Sequence, residues 1–193
     1  MQKAKYYVIF FVGCLFSASS YAETTNHHLL TFPEASDSSI WQQPHHPYDE
    51  GSKPYELNSL YKSFGHSEAD IINKLGEPLK RTEKQQSNRH QPKNKMTVSQ
   101  LFYDGLTIEL LTTHEHRSFV KRVFISNCDI PSDFQQYLCT SVESLKGRLG
   151  QPSVETNSEL TYLITIGDIG AVPLRIFLKN GNVTGIYARN LID

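Results

Sequence analysis

Two segments of the chain are dense in groups that could bind a metal ion. Residues 45–49 hold His45 and His46 followed by an aspartate, and residues 114–116 hold His114 and His116 on either side of a glutamate. A structural zinc site needs four ligands at finger-like or helical spacing, and neither segment provides them. We therefore predict no metal site, with the first pair in a solvated arm and the second in a hairpin turn.

Nucleophilic and phosphate-binding motifs are the next chemistry to consider. The sequence contains no G-x-S-x-G motif, no H-E-x-x-H motif and no glycine-rich loop that could cradle a phosphate. The adjacent acids Asp49 and Glu50 are more typical of solubilising charge than of a glycosidase carboxylate pair. We predict that the protein is not an enzyme and that it uses no cofactor.

The first 22 residues have the layout of a secretory signal peptide. Two lysines precede an apolar run from Val8 to Phe16, and small residues flank Tyr21. The apolar run is too short to span a bilayer. This pattern predicts cleavage after Ala22 and a periplasmic protein without a membrane span. The alternative interpretation is a lipoprotein anchored at Cys14.

The two cysteines that follow this leader, Cys128 and Cys139, indicate a disulfide. Thiols oxidise outside the cytoplasm, so we predict that these two pair. Closing so short a loop would stabilise the fold by roughly 3 kcal/mol. The absence of a C-x-x-C motif argues against a redox role.

The charge balance excludes some classes of partner. The chain holds 19 basic and 20 acidic residues, and loss of two leader lysines makes it slightly more acidic. A nearly neutral protein generates no field that would hold nucleic acid or an anionic membrane. We therefore expect a protein partner in the cell envelope and no nucleic acid.

The chain after the leader divides into an arm and two similar parts. Residues 23–55 are rich in Ser, Pro, His and Asn, which predicts an extended arm. An L-G-x-P helix stop at Gly76 recurs at Gly150. This repetition divides the rest of the chain into a first part, 56–127, and a second, 128–193. Capping-box patterns, Ser67-x-x-Asp70 and Thr140-x-x-Glu143, predict the start of the second of two helices in each part.

Three strands are predicted after each helix pair, with Asp104-Gly105 and Asn180-Gly181 as tight hairpin turns. The predicted strands are 101–103, 106–110 and 120–126 in the first part, and 160–166, 174–179 and 183–189 in the second. The basic segment from Lys80 to Lys95 is interpreted as an inserted loop. The predicted fold is α+β, with two tandem α-α-β-β-β repeats whose helices pack on antiparallel sheets.

These motifs resemble those of two families of bacterial envelope proteins. The L-G-x-P stops and the strand series are similar to the tandem repeats of the beta-lactamase-inhibitor-protein type. A single copy resembles the small outer-membrane assembly lipoproteins of the SmpA/OmlA type. The resemblance implies an envelope protein that binds another protein through a sheet surface and carries out no chemistry of its own.

Strand alternation predicts which side chains would form that surface. If Val123 and Ile125 face the helices, then their neighbours on the same strand face away, and the same holds for the last two strands. Aromatic and Arg side chains are enriched at protein interfaces. The predicted binding residues are Arg122, Phe124, Arg175, Phe177, Tyr187 and Arg189, with the basic segment from Lys80 to Lys95 as a second surface.

Three functions are compatible with this sequence. The first is a periplasmic inhibitor or immunity protein that neutralises a toxin or hydrolase acting in the envelope. The second is a structural factor of the outer-membrane assembly type. The third is an envelope hydrolase whose site carries no familiar motif.

Overall fold

The computed structural model describes residues 29–33, 63–88, 90–132, 134–166 and 170–189. The predicted signal peptide, Cys14 and most of the predicted arm lie outside these residues. The described part contains two helices, α1 and α2, and eight strands, β1 to β8. Their bounds are α1 Glu68–Leu75, β1 Lys80–Ser87, β2 Lys95–Tyr103, β3 Leu106–Thr112, β4 Ser118–Ile125, α2 Val142–Leu149, β5 Val154–Glu155, β6 Glu159–Ile166, β7 Gly170–Lys179 and β8 Asn182–Arg189.

All eight strands form one antiparallel sheet in the order β1-β2-β3-β4-β8-β7-β6-β5. The last strand of each half therefore meets the other at the centre, where Phe124 of β4 lies opposite Tyr187 of β8. Both predicted hairpin turns are present, with Gly105 between β2 and β3 and Gly181 between β7 and β8, each at positive φ. Positive φ is the conformation that glycine adopts without steric cost.

The predicted fold of two α-α-β-β-β repeats is wrong, because the strands join a single sheet and the described part has only two helices. The helix expected around Phe134 is a short run of turns. Tyr137 and Leu138 both donate backbone hydrogen bonds to Phe134, but Cys139 has a φ of 54° and donates its N–H to Val183 of β8. Pairing with the sheet thus ends the helix after one turn. The corresponding helix around Leu60 lies outside the described residues.

The basic segment from Lys80 to Lys95 is also not the loop that was predicted. It forms β1, which pairs with β2 along its whole length, from Lys80 opposite Phe102 to Ser87 opposite Lys95. The sequence of β1 is polar throughout because the strand lies at the edge of the sheet and is exposed on both faces. A strand without a buried face has no apolar alternation to reveal it. Lysine on an edge strand also discourages pairing with other chains.

Both helices belong to a hydrophobic core on one face of the sheet. Ile71 of α1 and Leu145 of α2 are fully buried in the same cluster as Ile108, Val123 and Ile186 from the central strands. This face is called the inner face and the opposite one the outer face. Since side chains alternate along each strand, the residues between these core positions project from the outer face.

The helix ends follow the predicted signals, with one correction. Ser67 caps α1 and accepts a hydrogen bond from the Asp70 N–H, while the Asp70 side chain accepts from the Ser67 N–H, so the predicted capping box is confirmed. In the second half the cap is Ser141 and not Thr140, and it accepts from Ser144 N–H at 3.2 Å.

Candidate protein-binding face

One row of the outer face crosses six strands. Cross-strand pairing places Phe102, Thr107, Phe124, Tyr187, Arg175 and Thr161 opposite one another from β2 to β6. Directly opposed residues of an antiparallel pair share a face and lie about 5 Å apart. Three of the six predicted binding residues, Phe124, Tyr187 and Arg175, lie in this row. Arg122 is opposite Arg189, one row away.

Phe124 and Phe177 belong to strands that do not pair with each other, yet their rings meet. β8 lies between β4 and β7, and the residue opposite Phe177 on β8 is Gly185. A Cβ added at Gly185 would lie 3.0 Å from the Phe124 ring, so the absence of a side chain lets the ring extend across β8. The two ring centroids are 5.4 Å apart in a tilted arrangement, which is within the favourable range for aromatic pairs.

Arg175 continues this aromatic cluster. Its guanidinium lies 5.3 Å from the centroid of the Phe177 ring, which is a cation–π distance. Glu159 of β6 accepts hydrogen bonds from Nε at 2.7 Å and from Nη2 at 2.8 Å. These bonds raise the pKa of Arg175 although partial burial acts against them. The arginine is therefore held in place with one face on a phenylalanine.

A second arginine, Arg122, is held by a buried carboxylate. Glu109 lies directly opposite it on β3, and its side chain is only 2% exposed. Glu109 accepts from Arg122 Nε at 2.9 Å, from Arg122 Nη2, and from Gln100 Nε2 at 2.8 Å. Lys121 Nζ is 3.7 Å from the same carboxylate.

This network determines the protonation state of Glu109. Burial alone would raise its pKa, but the hydrogen bonds from Arg122 and Gln100 and the charges of Arg122 and Lys121 outweigh burial and lower it. The pKa of Arg122 is raised, because its bonds to Glu109 outweigh its own desolvation. This ion pair is consequently charged at neutral pH. Glu109 and Arg122 also help to line a cavity of about 350 Å³.

Residues 29–33 of the predicted arm lie on the outer face beside this pair. The Thr107 hydroxyl donates to the carbonyl oxygen of Leu30 at 2.6 Å, and both residues are buried. The Arg122 guanidinium lies 4.4 Å from the centroid of the Phe32 ring. Tyr187 meets the same ring edge-on at 6.1 Å. Arg122 and Tyr187, two of the predicted binding residues, therefore contact residues 29–33 of the same chain. Tyr187 is also buried.

Sequence reasoning missed Glu109, Glu159, Thr107 and Phe32 in this arrangement. Glu109 had a signal, since it is the only charged residue within the apolar strand β3. A lone acid in such a strand needs a partner, because an unpaired buried charge is very costly. Phe32 had no local signal, since its contacts are with residues far along the chain.

The remaining predicted residues are placed as follows. Arg189 is exposed at the end of β8. Cys128 and Cys139 have Cα atoms 6.2 Å apart, a distance compatible with the predicted disulfide. His114 and His116 lie in the turn between β3 and β4. Among the residues that the structure describes, no three His, Cys, Asp or Glu side chains are grouped to hold a metal ion.

Comparison of the chain with protein-family models, with curated proteins and with solved structures gives no match. Within the described ranges, no helix has the length and apolar character needed to cross a membrane.

Proposed function

We propose that this protein is a non-catalytic protein-binding module of the cell envelope, acting as an inhibitor or immunity protein. The observation that supports this proposal is the cluster of Phe124, Phe177 and Arg175 on the outer face, joined across Gly185. Large aromatic groups and arginine at the centre of an interface carry most of the binding energy in many complexes.

The cluster has properties that favour binding of a folded partner. Phe124 and Phe177 are partly exposed, so a partner can bury the area that remains. Arg175 is already held by Glu159, which reduces the side-chain entropy that binding would cost. The cluster is carried by hydrogen-bonded strands of one antiparallel sheet, and the backbone at pre-organised interfaces changes little on docking.

Assignment to the inhibitor class rests on the sequence. Residues 1–22 predict export, and the chain has no familiar catalytic motif. An exported protein that binds without chemistry can neutralise an enzyme by covering its active site. The proposed partner is a toxin or hydrolase acting in the envelope.

The test begins with capture of the partner from native envelope and its identification by mass spectrometry. Calorimetry against that partner then compares the wild-type protein with the double variant Phe124→Ala/Phe177→Ala. Truncation of two anchors at about 2 kcal/mol each should weaken binding about a thousandfold. Phe119→Ala is the matched control, because Phe119 is an exposed aromatic near the other end of β4.

Two further measurements distinguish an inhibitor from a structural assembly factor and test the docking surface. Loss of the partner's catalytic activity at a stoichiometric ratio supports an inhibitor, whereas binding without loss of activity supports a structural assembly factor. If the folded double variant binds as tightly as the control, the outer face is not the docking surface. Circular dichroism establishes that each variant is folded.

A further inference from the structure

Residues 29–33 contact the outer face as a bound peptide would. One backbone carbonyl, that of Leu30, accepts a hydrogen bond from the Thr107 hydroxyl at 2.6 Å. One aromatic ring, that of Phe32, lies beneath the Arg122 guanidinium and against the edge of Tyr187. Leu30 is 6% exposed and Thr107 is fully buried, so this contact excludes water.

The groups that hold residues 29–33 belong to the sheet, and the pairing of the strands positions them. Thr107 is on β3, Arg122 on β4 and Tyr187 on β8, and the pairing of these strands sets their spacing. Glu109 fixes the Arg122 guanidinium through two hydrogen bonds, so its face stays turned toward the ring. Together they provide what a peptide-binding site needs: a hydroxyl donor from Thr107, an oriented cation from Arg122 and an aromatic edge from Tyr187.

We propose that residues 29–33 occupy, within the chain, a peptide-recognition site whose preferred ligand is an extended segment with an aliphatic residue two positions before an aromatic one. The partner docks by presenting such a segment in place of Leu30 and Phe32. This inference rests on the proposed function and specifies what the partner inserts. The carbonyl of the incoming segment accepts from Thr107, and its aromatic ring stacks beneath Arg122.

The chain's own segment is then a competitor that the partner must displace. An intramolecular ligand competes at an effective concentration set by the length and stiffness of its tether, here residues 34–62. The apparent affinity for any external segment falls in proportion to the fraction of sites that remain open. Emptying the site should therefore increase affinity for a peptide, which a purely structural role for residues 29–33 would not do.

The experiment uses the full chain and a labelled synthetic peptide of residues 27–35, with binding followed by fluorescence anisotropy. Two variants, Phe32→Ala and Leu30→Asp, weaken the internal segment without altering any strand residue. We expect both to bind the peptide at least about tenfold more tightly than wild type does. A peptide carrying Phe32→Ala should not bind, and Thr107→Val in the Phe32→Ala background should weaken binding by about tenfold.

Three results would overturn the proposal. These are equal peptide affinity for wild type and both variants, no binding to either folded variant, and unfolding of both variants as seen by circular dichroism, which would make the segment part of the core. The peptide test needs no partner protein. Partner binding that survives Phe124→Ala/Phe177→Ala would remove the proposed function without changing the peptide result, so the two failures are distinguishable.

Discussion

The two halves of the sheet anchor their helices in the same way but use their outer faces differently. In the first half the Tyr103 hydroxyl donates to the carbonyl of Gly76 at the end of α1, and in the second half Tyr162 donates to Gly150 at the end of α2, both at 3.2 Å. Burial raises the pKa of each tyrosine from 10 to about 12, so each hydroxyl keeps its proton and its hydrogen bond into alkaline solution. The two halves therefore fix the ends of their helices to the sheet by the same contact.

On the outer face, each half carries one arginine–glutamate pair in a different setting. The Glu109 side chain is 2% exposed and its arginine lies over Phe32, whereas the Glu159 side chain is 20% exposed and its arginine lies over Phe177. The two arginine side chains are 28% and 12% exposed, so the two pairs differ mainly at the carboxylate and in the ring that each arginine contacts. The Glu109 pair borders residues 29–33, and the Glu159 pair supports the aromatic cluster that we propose as the docking surface.

The largest expected effect is the difference between Glu109→Gln and Glu159→Gln. Removing the buried carboxylate charge leaves Arg122 without a counter-ion, which costs about 3 kcal/mol of the free energy of unfolding. Removing the charge at Glu159, whose side chain is 20% exposed, should cost less, about 1.5 kcal/mol. Urea denaturation of the two variants measures both values.

The control for this prediction is the double variant Glu109→Leu/Arg122→Leu. Replacing both members of a buried ion pair by apolar residues is often neutral, so stability should recover relative to Glu109→Gln. Equal losses at Glu109 and Glu159 would show that burial does not distinguish the two pairs.

A smaller effect is expected from pH. The pKa of Glu109 in the folded protein lies below its ordinary value of 4.5, so the folded state binds this proton less readily than the unfolded chain. Stability from Glu109 is therefore fully present above the unfolded pKa and is lost as pH falls through the folded pKa. Wild type should lose more stability between about pH 6 and about pH 3 than Glu109→Gln does. Parallel curves for the two proteins would contradict this assignment.

Sequence reasoning found the strands that have a buried face and missed those that do not. Alternation located six of the eight strands, because their inner residues are apolar. β1 was interpreted as a loop and β5 was not predicted, since both lie at sheet edges. The helix predicted near Phe134 failed for another reason, because backbone pairing of Cys139 with β8 is a long-range contact that local propensity does not contain.

The same distinction applies to the candidate site. Alternation placed Arg122, Phe124 and Tyr187 on one face because it depends only on strand geometry. It gave no account of what covers that face. Phe32 reaches Tyr187 from a distant part of the chain, and Phe124 reaches Phe177 only because Gly185 lies between them. Such contacts depend on strand order, which the predicted repeat fold had wrong.

The smallest expected difference concerns the two helix caps. Ser67→Ala and Ser141→Ala should each lower the free energy of unfolding by about 1 kcal/mol, because each removes a side-chain acceptor for a backbone N–H of the first helical turn. Of the two helices in the described residues, the first alone has a reciprocal bond, from the Ser67 N–H to the Asp70 side chain. Asp70→Ala should therefore destabilise the protein, and Ser144→Ala, at the equivalent position of α2, should not.

Ser67→Gly is the control, since glycine at a cap costs only a few tenths of a kcal/mol. If Asp70→Ala and Ser144→Ala gave the same denaturation midpoint, the reciprocal bond would contribute nothing, and the two helix starts would be energetically equivalent.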